Sequence, residues 1–183
     1  MNLKAVILDK ESMRRSLLRV SHEIIEKNKG IEDIVFVGIK RRGYPLAQRI
    51  AENIKTFEGV EIPVGTVDIS LYRDDLEDLG DKATINDKNL GVEVKGKKVI
   101  LIDDVLYTGR TVRAAIEAIM DTGRPSLIQL AVLIDRGHRE LPIRADFVGK
   151  NIPTSKEEIV SVCIEEIDEE DSVKIYERQF VNK

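Results

Sequence analysis

Two adjacent aspartates, Asp103 and Asp104 (the acidic pair), follow the apolar run Val99–Ile102 and precede a loop of small and hydroxyl residues. Ligands of open α/β sheets bind beyond the carboxyl ends of the strands, so this arrangement predicts a ligand site. Free N–H groups at the start of the following helix can cradle a phosphate, and the helix dipole favours its charge. In the loop Thr108–Thr111, threonine hydroxyls add donors and a glycine lets the backbone approach closely.

The acidic pair indicates a sugar beside the phosphate. Two carboxylates would repel a bare phosphate, but they can accept hydrogen bonds from the 2′- and 3′-hydroxyls of a ribose. They also place negative charge beside a ribose that becomes cationic when its anomeric bond breaks. Two alternatives stay open: the aspartates merely end a strand before an ordinary turn, or the domain is a receiver-like phosphoacceptor. The second needs another acidic pair after the first strand, where the chain has Lys40, Arg41 and Arg42.

The segment Val99–Thr111 resembles the motif with which type I phosphoribosyltransferases bind phosphoribosyl diphosphate (PRPP). The P-loop and dinucleotide glycine patterns, by contrast, are missing from the chain. The resemblance implies phosphoribosyl transfer with Asp103 and Asp104 as catalytic residues, and with a Mg²⁺ ion that they meet only indirectly, through PRPP. The PRPP contacts implied here are Asp103, Asp104, Val105, Leu106, Tyr107, Thr108, Gly109, Arg110 and Thr111.

The basic loop within Val37–Gly43 stands where this family has its pyrophosphate loop. The resemblance implies that backbone N–H groups and cationic side chains there hold the leaving group together with Mg²⁺. The side chains concerned are Lys40, Arg41 and Arg42. A solvated basic loop is the alternative.

Ser70–Asp75 resembles the start of the family's flexible catalytic lid. The polar stretch at about residues 72–96 is long for a loop in a compact domain, which also favours a lid. Such a lid keeps water from the cationic sugar. Arg73 is expected to reach the pyrophosphate as a catalytic residue, and the alternative is a surface ion pair with Asp74 or Asp75.

The most specific match is Asp135–Ser155, which resembles the bifunctional pyrimidine operon regulators, whose members are also uracil phosphoribosyltransferases. It implies transfer of a phosphoribosyl group from PRPP to uracil, giving UMP and pyrophosphate, and UMP-dependent binding of the leader mRNA of pyrimidine genes. It also implies a hood over the base, with Arg136, Val160 and Val162 at the uracil pocket. Two alternatives stay open: a salvage phosphoribosyltransferase without RNA binding, and an RNA regulator with vestigial catalysis.

Clustered cations on a chain of net charge -4 indicate a surface for an RNA backbone. The cations expected to bind RNA are Arg15, Arg19 and His22 on one face of the first helix, and Arg139, Arg144 and Lys150 further along the chain. A solvated charged face is the alternative. Leu18 and Arg41 stand where the family commonly has a small hydroxyl residue.

Composition and periodicity predict a single α/β domain over residues 1–183. The chain is 42% hydrophobic but only 4% aromatic, so its core must rest on Ile, Val and Leu. Strands alternating with helices predict a central, mostly parallel sheet flanked by helices, with a small hood from about residues 136–183 to which the N-terminus can add. Asp135–Ser155 is expected to be irregular. The predicted elements are helices at Asp9–Gly30, Tyr44–Phe57 and Thr108–Asp121, and strands at Ile34–Ile39, Val60–Leu71, Val99–Ile102, Leu127–Ile134, Ile159–Ile164 and Val173–Tyr176.

The single cysteine, Cys163, lies in an apolar run and is expected to be a core residue in a reducing cytoplasm rather than a catalytic thiol. No apolar run approaches the length of about 18 residues that spans a membrane. A homodimer or higher homo-oligomer is expected from the family. Leu18 and Ile25, on the flank of the first helix, are the candidates for its interface.

Overall fold

The structure is a computed structural model that describes residues 1–70, 72 and 89–177. Its elements are β1 (Asn2–Leu8), α1 (Lys10–Asn28), β2 (Ile34–Ile39), α2 (Gly43–Glu58), β3 (Val64–Val67), β4 (Lys98–Leu106), α3 (Arg110–Thr122), β5 (Leu127–Asp135), β6 (Phe147–Asn151), β7 (Glu158–Cys163), α4 (Glu165–Asp168) and β8 (Ser172–Glu177). Five strands form the main sheet, in the order β3-β2-β4-β5-β6. All of its pairings are parallel, so the predicted α/β fold with a mostly parallel sheet is confirmed.

Two apolar clusters, one on each face of the main sheet, form the core. Because side chains alternate along a strand, Phe36 and Ile100 pack with α1 and α2, whereas Val37 and Leu101 pack with α3. β2 is buried at every position, as expected for a strand covered on both faces. The apolar face predicted for the first helix is confirmed, since its buried side chains include Met13, Leu17, Val20 and Ile24.

A second sheet, in the order β1-β8-β7, brings the beginning and the end of the described chain together. Both of its pairings are antiparallel. No strand is predicted at β1, where Leu3 and Val6 are exposed and the pairing register shifts twice. This strand lacks the regular apolar alternation that reveals a strand in a sequence.

Strand β6 corrects the expectation that Asp135–Ser155 is irregular. It pairs in parallel with β5 and forms one edge of the main sheet. Proline and arginine residues surround this short strand in the sequence and conceal it. Arg19 of α1 donates to the backbone carbonyls of Val148 and Gly149, so it covers part of this edge.

Two further expectations need adjustment. The strand expected over Val60–Leu71 is limited to β3, whose neighbour on one side is β2. Leu18 and Ile25 are half-buried rather than exposed, and Ile25 packs against the core. None of the helices formed by the described residues combines the length and hydropathy that a bilayer crossing requires.

Candidate active site

The acidic pair lies near the carboxyl end of β4, which sits between β2 and β5 in the main sheet. Asp103 is buried and Asp104 is half-buried. The backbone N–H of Asp104 donates to Oδ1 of Asp103 at 2.9 Å, and the N–H of Val105 donates to Oδ1 of Asp104 at 2.8 Å. The backbone therefore holds both carboxylates at the edge where ligands of such sheets bind.

The surroundings of the acidic pair disfavour its charged form. Burial raises the pKa of Asp103 well above its usual range, and the charge of Asp104 raises it further. Burial also raises the pKa of Asp104, while the N–H of Val105, the hydrogen bond with Asp103 and the charge of Arg42 act in the opposite direction. A ligand that brings hydroxyl donors or positive charge relieves this strain between like charges. Carboxylates perturbed in this way are typical of functional sites.

The loop Tyr107–Thr111, here called the phosphate loop, connects the acidic pair to α3. Gly109 precedes the helix with φ 94°, a conformation that favours glycine. Thr108 Oγ1 accepts a hydrogen bond from the N–H of Arg110 at 3.3 Å. Gly109 has no side chain to cap the helix start, so the N–H groups that follow that of Arg110 can receive an anion.

Two of the predicted PRPP contacts face away from the phosphate loop. Leu106 is buried, and Val105 is half-buried and packs against the core. Their side chains belong to the interior, so these residues can meet a ligand only through their backbone.

Arg139, a predicted RNA contact, is held against the phosphate loop. Its guanidinium donates to the carbonyls of Tyr107 at 2.7 Å, Ile143 at 2.9 Å and Leu106 at 3.3 Å. It also forms an ion pair with Asp135, and only 21% of its side chain is exposed. The structure thus brings this arginine to the candidate active site.

The pyrophosphate loop, defined as Lys40–Gly43, lies directly against β4. A Cβ atom on Gly43 would be 2.3 Å from the carbonyl oxygen of Ile102, one residue before the acidic pair. Only glycine permits this approach, which brings the basic loop beside the carboxylates. The side chains of Lys40 and Arg41 are exposed, and the Lys40–Arg41 peptide bond is cis.

Arg42 is bonded to α4, the short helix between β7 and β8. Its Nε donates to Oδ2 of Asp168 at 3.1 Å and its Nη2 donates to Oδ1 at 2.7 Å. Asp168 is the last residue of α4. Asp168 is not among the site residues predicted from the sequence, because its partner is 126 positions away in the chain. The only signal was the density of acids within Glu157–Asp171.

Arg136, predicted at the uracil pocket, is buried beside the phosphate loop. Its guanidinium lies 4.0 Å from the centre of the Tyr107 ring, which is close enough for a cation–π contact. Its Nη2 donates to the carbonyl of Ser155 at 3.1 Å. The Nε is also buried and has no hydrogen-bond partner among the described residues. This buried donor is therefore unsatisfied within the described part of the chain.

The valines predicted at the uracil pocket lie on β7. Val162 is buried in the core cluster that includes α1 and α2, and Val160 packs against this cluster. Their side chains are core residues, which leaves the backbone as the part of β7 that can meet a base. β7 is an edge of the second sheet, so one side of its backbone is unpaired within the described chain.

The remaining predicted RNA contacts lie on the surface. In α1, Arg15 and Arg19 pair with glutamates of the same helix at 3.0 and 2.5 Å. His22 is exposed and stacks on Phe57, with 4.1 Å between the ring centroids. Two more exposed cations are Arg144 and Lys150.

Arg73 and most of the predicted lid lie outside the described residues. Tyr72 is described, and it is tied to α3. Its hydroxyl donates to Asp121 at 2.7 Å, and its carbonyl accepts a hydrogen bond from Arg113 at 2.8 Å.

The acidic pair suits a cation whose other ligands come from the substrate and from water. Within the described part of the chain, no group of three or more His, Cys, Asp or Glu residues is arranged to hold a metal ion. Asp103 and Asp104 nevertheless offer carboxylate oxygens, which Mg²⁺ prefers. They therefore fit a Mg²⁺ ion whose other ligands are phosphate and water oxygens.

An acidic pair, a phosphate loop at a helix start and a basic loop beside the carboxylates are the features expected of a site for a phosphorylated sugar. The sequence model of the phosphoribosyl transferase domain family matches residues 6–167. Relatives named "Bifunctional protein PyrR" extend the match: one from Clostridium kluyveri is 69% identical and one from Clostridium perfringens strain 13 is 68% identical, each over 97% of this chain and 99% of the relative. The chain belongs to the phosphoribosyltransferase family and, within it, to the PyrR proteins.

Solved structures agree with the fold. A hypoxanthine phosphoribosyltransferase of Trypanosoma cruzi superposes with a TM-score of 0.73 over 97% of this chain and 98% of its own, at 17% identity. A hypoxanthine phosphoribosyltransferase from Staphylococcus aureus has a TM-score of 0.67 over 86% of this chain and 81% of its own, at 25% identity. The main sheet and its helices are thus those of the type I phosphoribosyltransferase fold.

Proposed function

We propose that this protein transfers the phosphoribosyl group of PRPP to uracil, giving UMP and pyrophosphate. The observation that carries the proposal is the acidic pair at the end of β4, followed directly by the phosphate loop and α3. The family of the chain supports the transfer, and the resemblance of Asp135–Ser155 to bifunctional pyrimidine regulators supports uracil as the acceptor.

In the proposed reaction, the bond between the anomeric carbon and the pyrophosphate oxygen breaks and a bond to uracil N1 forms, while N1 loses its proton. Asp103 and Asp104 accept hydrogen bonds from the ribose hydroxyls and stabilise the positive charge that develops on the sugar. The phosphate loop binds the 5′-phosphate, and the pyrophosphate loop binds the leaving group. Mg²⁺ bound with PRPP neutralises charge on the pyrophosphate. Arg73 adds a second cation from the lid.

Uracil recognition is assigned to Arg136 and the unpaired backbone edge of β7. The guanidinium of Arg136, which lies over the Tyr107 ring, supplies donors, and backbone N–H and C=O groups can match the alternating acceptors and donors of a pyrimidine. The second sheet then acts as the hood of one phosphoribosyltransferase domain that spans residues 1–183.

A second activity, UMP-dependent binding of the leader mRNA of pyrimidine genes, is supported by the exposed cations on α1 and around β6. Aromatic side chains are few, so phosphate contacts and RNA shape are expected to dominate recognition. We further propose that the protein forms a homodimer or higher oligomer and acts in the cytoplasm, where PRPP, UMP and mRNA are found.

The enzyme assay mixes purified protein with PRPP, Mg²⁺ and one nucleobase at a time, and follows nucleotide formation. UMP from uracil alone is the expected result. A purine nucleotide would overturn the choice of acceptor, and the absence of any product would favour the alternative of a regulator with vestigial catalysis.

The RNA assay compares pyrimidine leader RNA with an unrelated RNA of equal length, each titrated with and without UMP. Tighter binding of the leader RNA, increased by UMP, is expected. Equal affinities for the two RNAs would contradict specific binding of the leader RNA and favour the alternative of a salvage enzyme without RNA binding.

A further inference from the structure

Asp168, at the end of α4 between β7 and β8, forms an ion pair with Arg42 of the pyrophosphate loop. It accepts two hydrogen bonds from Arg42, from Nε and from Nη2, and it also accepts one from the backbone N–H of Ile164 at 2.9 Å. The side chains of Arg42 and Asp168 are 33% and 22% exposed, so the pair is largely shielded from water. The hydrogen bonds to Arg42 lower the pKa of Asp168, which keeps it ionised.

Two parallel hydrogen bonds fix the plane of a guanidinium, which a single contact does not. Arg42 keeps both N–H bonds of Nη1 and one N–H of Nη2 for a ligand. Its charge is also close enough to act on Asp104 of the acidic pair. The side chain thus bonds to α4 from the loop expected to hold pyrophosphate, and that loop packs against β4 one residue before the carboxylates.

We propose that Asp168 is a positioning residue that holds the Arg42 guanidinium ready for the phosphate groups of PRPP. The proposal rests on the proposed phosphoribosyl transfer and adds to it a residue of α4, the helix between β7 and β8. Without Asp168, the long Arg42 side chain must be ordered by PRPP itself. Ordering one such side chain at binding weakens affinity by about three- to tenfold.

The test variant is Asp168→Asn, because asparagine keeps an oxygen for the N–H of Ile164 and loses the charge that fixes Arg42. Asp168→Glu is the conservative variant, since glutamate can still accept two hydrogen bonds from an arginine. Glu166→Gln is the matched control: Glu166 lies on the same α4 and pairs with Arg49 at 2.6 Å, and Arg49 keeps its bonds to Asp171.

Steady-state kinetics and thermal unfolding are measured for the wild type and the three variants. For Asp168→Asn, the KM for PRPP is expected to rise about three- to tenfold. The KM for uracil and the midpoint of thermal unfolding of this variant are expected to equal those of the control Glu166→Gln. Asp168→Glu should restore most of the affinity. An equal rise in both KM values, or the same change in Glu166→Gln, would show a general loosening of the second sheet and overturn the proposal.

A double-mutant cycle, read by calorimetric binding of PRPP with Mg²⁺, makes the test independent of turnover. In an Arg42→Gln background, Asp168→Asn should cause no further loss of affinity, because Asp168 acts only through Arg42. If the losses of PRPP affinity in the two single variants add up in the double variant, Asp168 does not act through Arg42. A wild type that binds no PRPP would instead refute the proposed function, so the two failures are distinguishable.

Discussion

Replacing Asp104 by asparagine should make the protein a poorer enzyme and a more stable fold. Asparagine keeps an oxygen for the N–H of Val105, so the geometry of the turn is preserved. The negative charge that would stabilise the cationic sugar is lost, and catalytic efficiency with PRPP should fall by about 10²-fold, which corresponds to ~2.7 kcal/mol of transition-state stabilisation.

The gain in stability follows from the burial of the acidic pair. The pKa of Asp103 is raised first by burial and then by the charge of Asp104, and the Asn variant removes that second cause. Removing one of these two adjacent like charges should add about 1 kcal/mol to the free energy of unfolding. For a domain of this size, that raises the unfolding midpoint by about 2–4 °C.

The pH dependence gives the sign of the effect. The folded-state pKa of each aspartate is above its unfolded value, so folding is favoured most when both are protonated, and this advantage is lost as the pH rises through the folded-state pKa. The difference in midpoint between Asp104→Asn and the wild type should therefore be small near about pH 4 and grow toward pH 7. Calorimetry without PRPP or Mg²⁺ measures it, with Glu166→Gln as a charge-matched control. A variant less stable than the wild type by the same amount at every pH, or one with unchanged kinetics, would refute the reasoning.

Three other substitutions test the pyrophosphate loop, the phosphate loop and the cations expected to bind RNA. Gly43→Ala places a Cβ 2.3 Å from the Ile102 carbonyl oxygen. It should destabilise the fold by about 1–3 kcal/mol and raise the KM for PRPP. A thermal unfolding curve equal to that of the wild type would contradict the close packing. In Arg139→Lys, the lysine cannot donate to both of the carbonyls that the arginine reaches. Steady-state kinetics should therefore show a KM for PRPP raised by about tenfold. A change in RNA affinity alone would assign Arg139 to RNA binding only. Arg15→Ala should reduce the slope of log affinity for RNA against log salt by about 0.7–0.9 without changing UMP formation, and an unchanged slope places Arg15 away from the RNA backbone.

The central part of the fold could be predicted because its signals are local. β2, β4 and β5 are apolar runs buried on both faces, and the acidic pair and phosphate loop directly follow one of them in the chain. The direction of a parallel strand then fixes the edge at which the site lies. These features need no knowledge of distant parts of the chain.

The parts that were missed depend on distant partners. β6 is a strand because β5 offers it an edge, and its own sequence of five residues is too short to show a period. The role of Arg42 differs from that of the neighbouring Lys40 and Arg41 because only Arg42 meets Asp168. Pairing between residues so far apart in the sequence becomes evident only once the second sheet is in place.

The pairing of β1 with β8 sets an order for folding during synthesis. β1 is the first strand to be made, yet the partner that it bonds to, β8, is the last strand described. The five strands of the main sheet are complete by Asn151, so that sheet can assemble on the ribosome while β1 still waits. A chain interrupted before β8 would therefore carry a formed phosphate loop and Asp168, the partner of Arg42, but no closed second sheet.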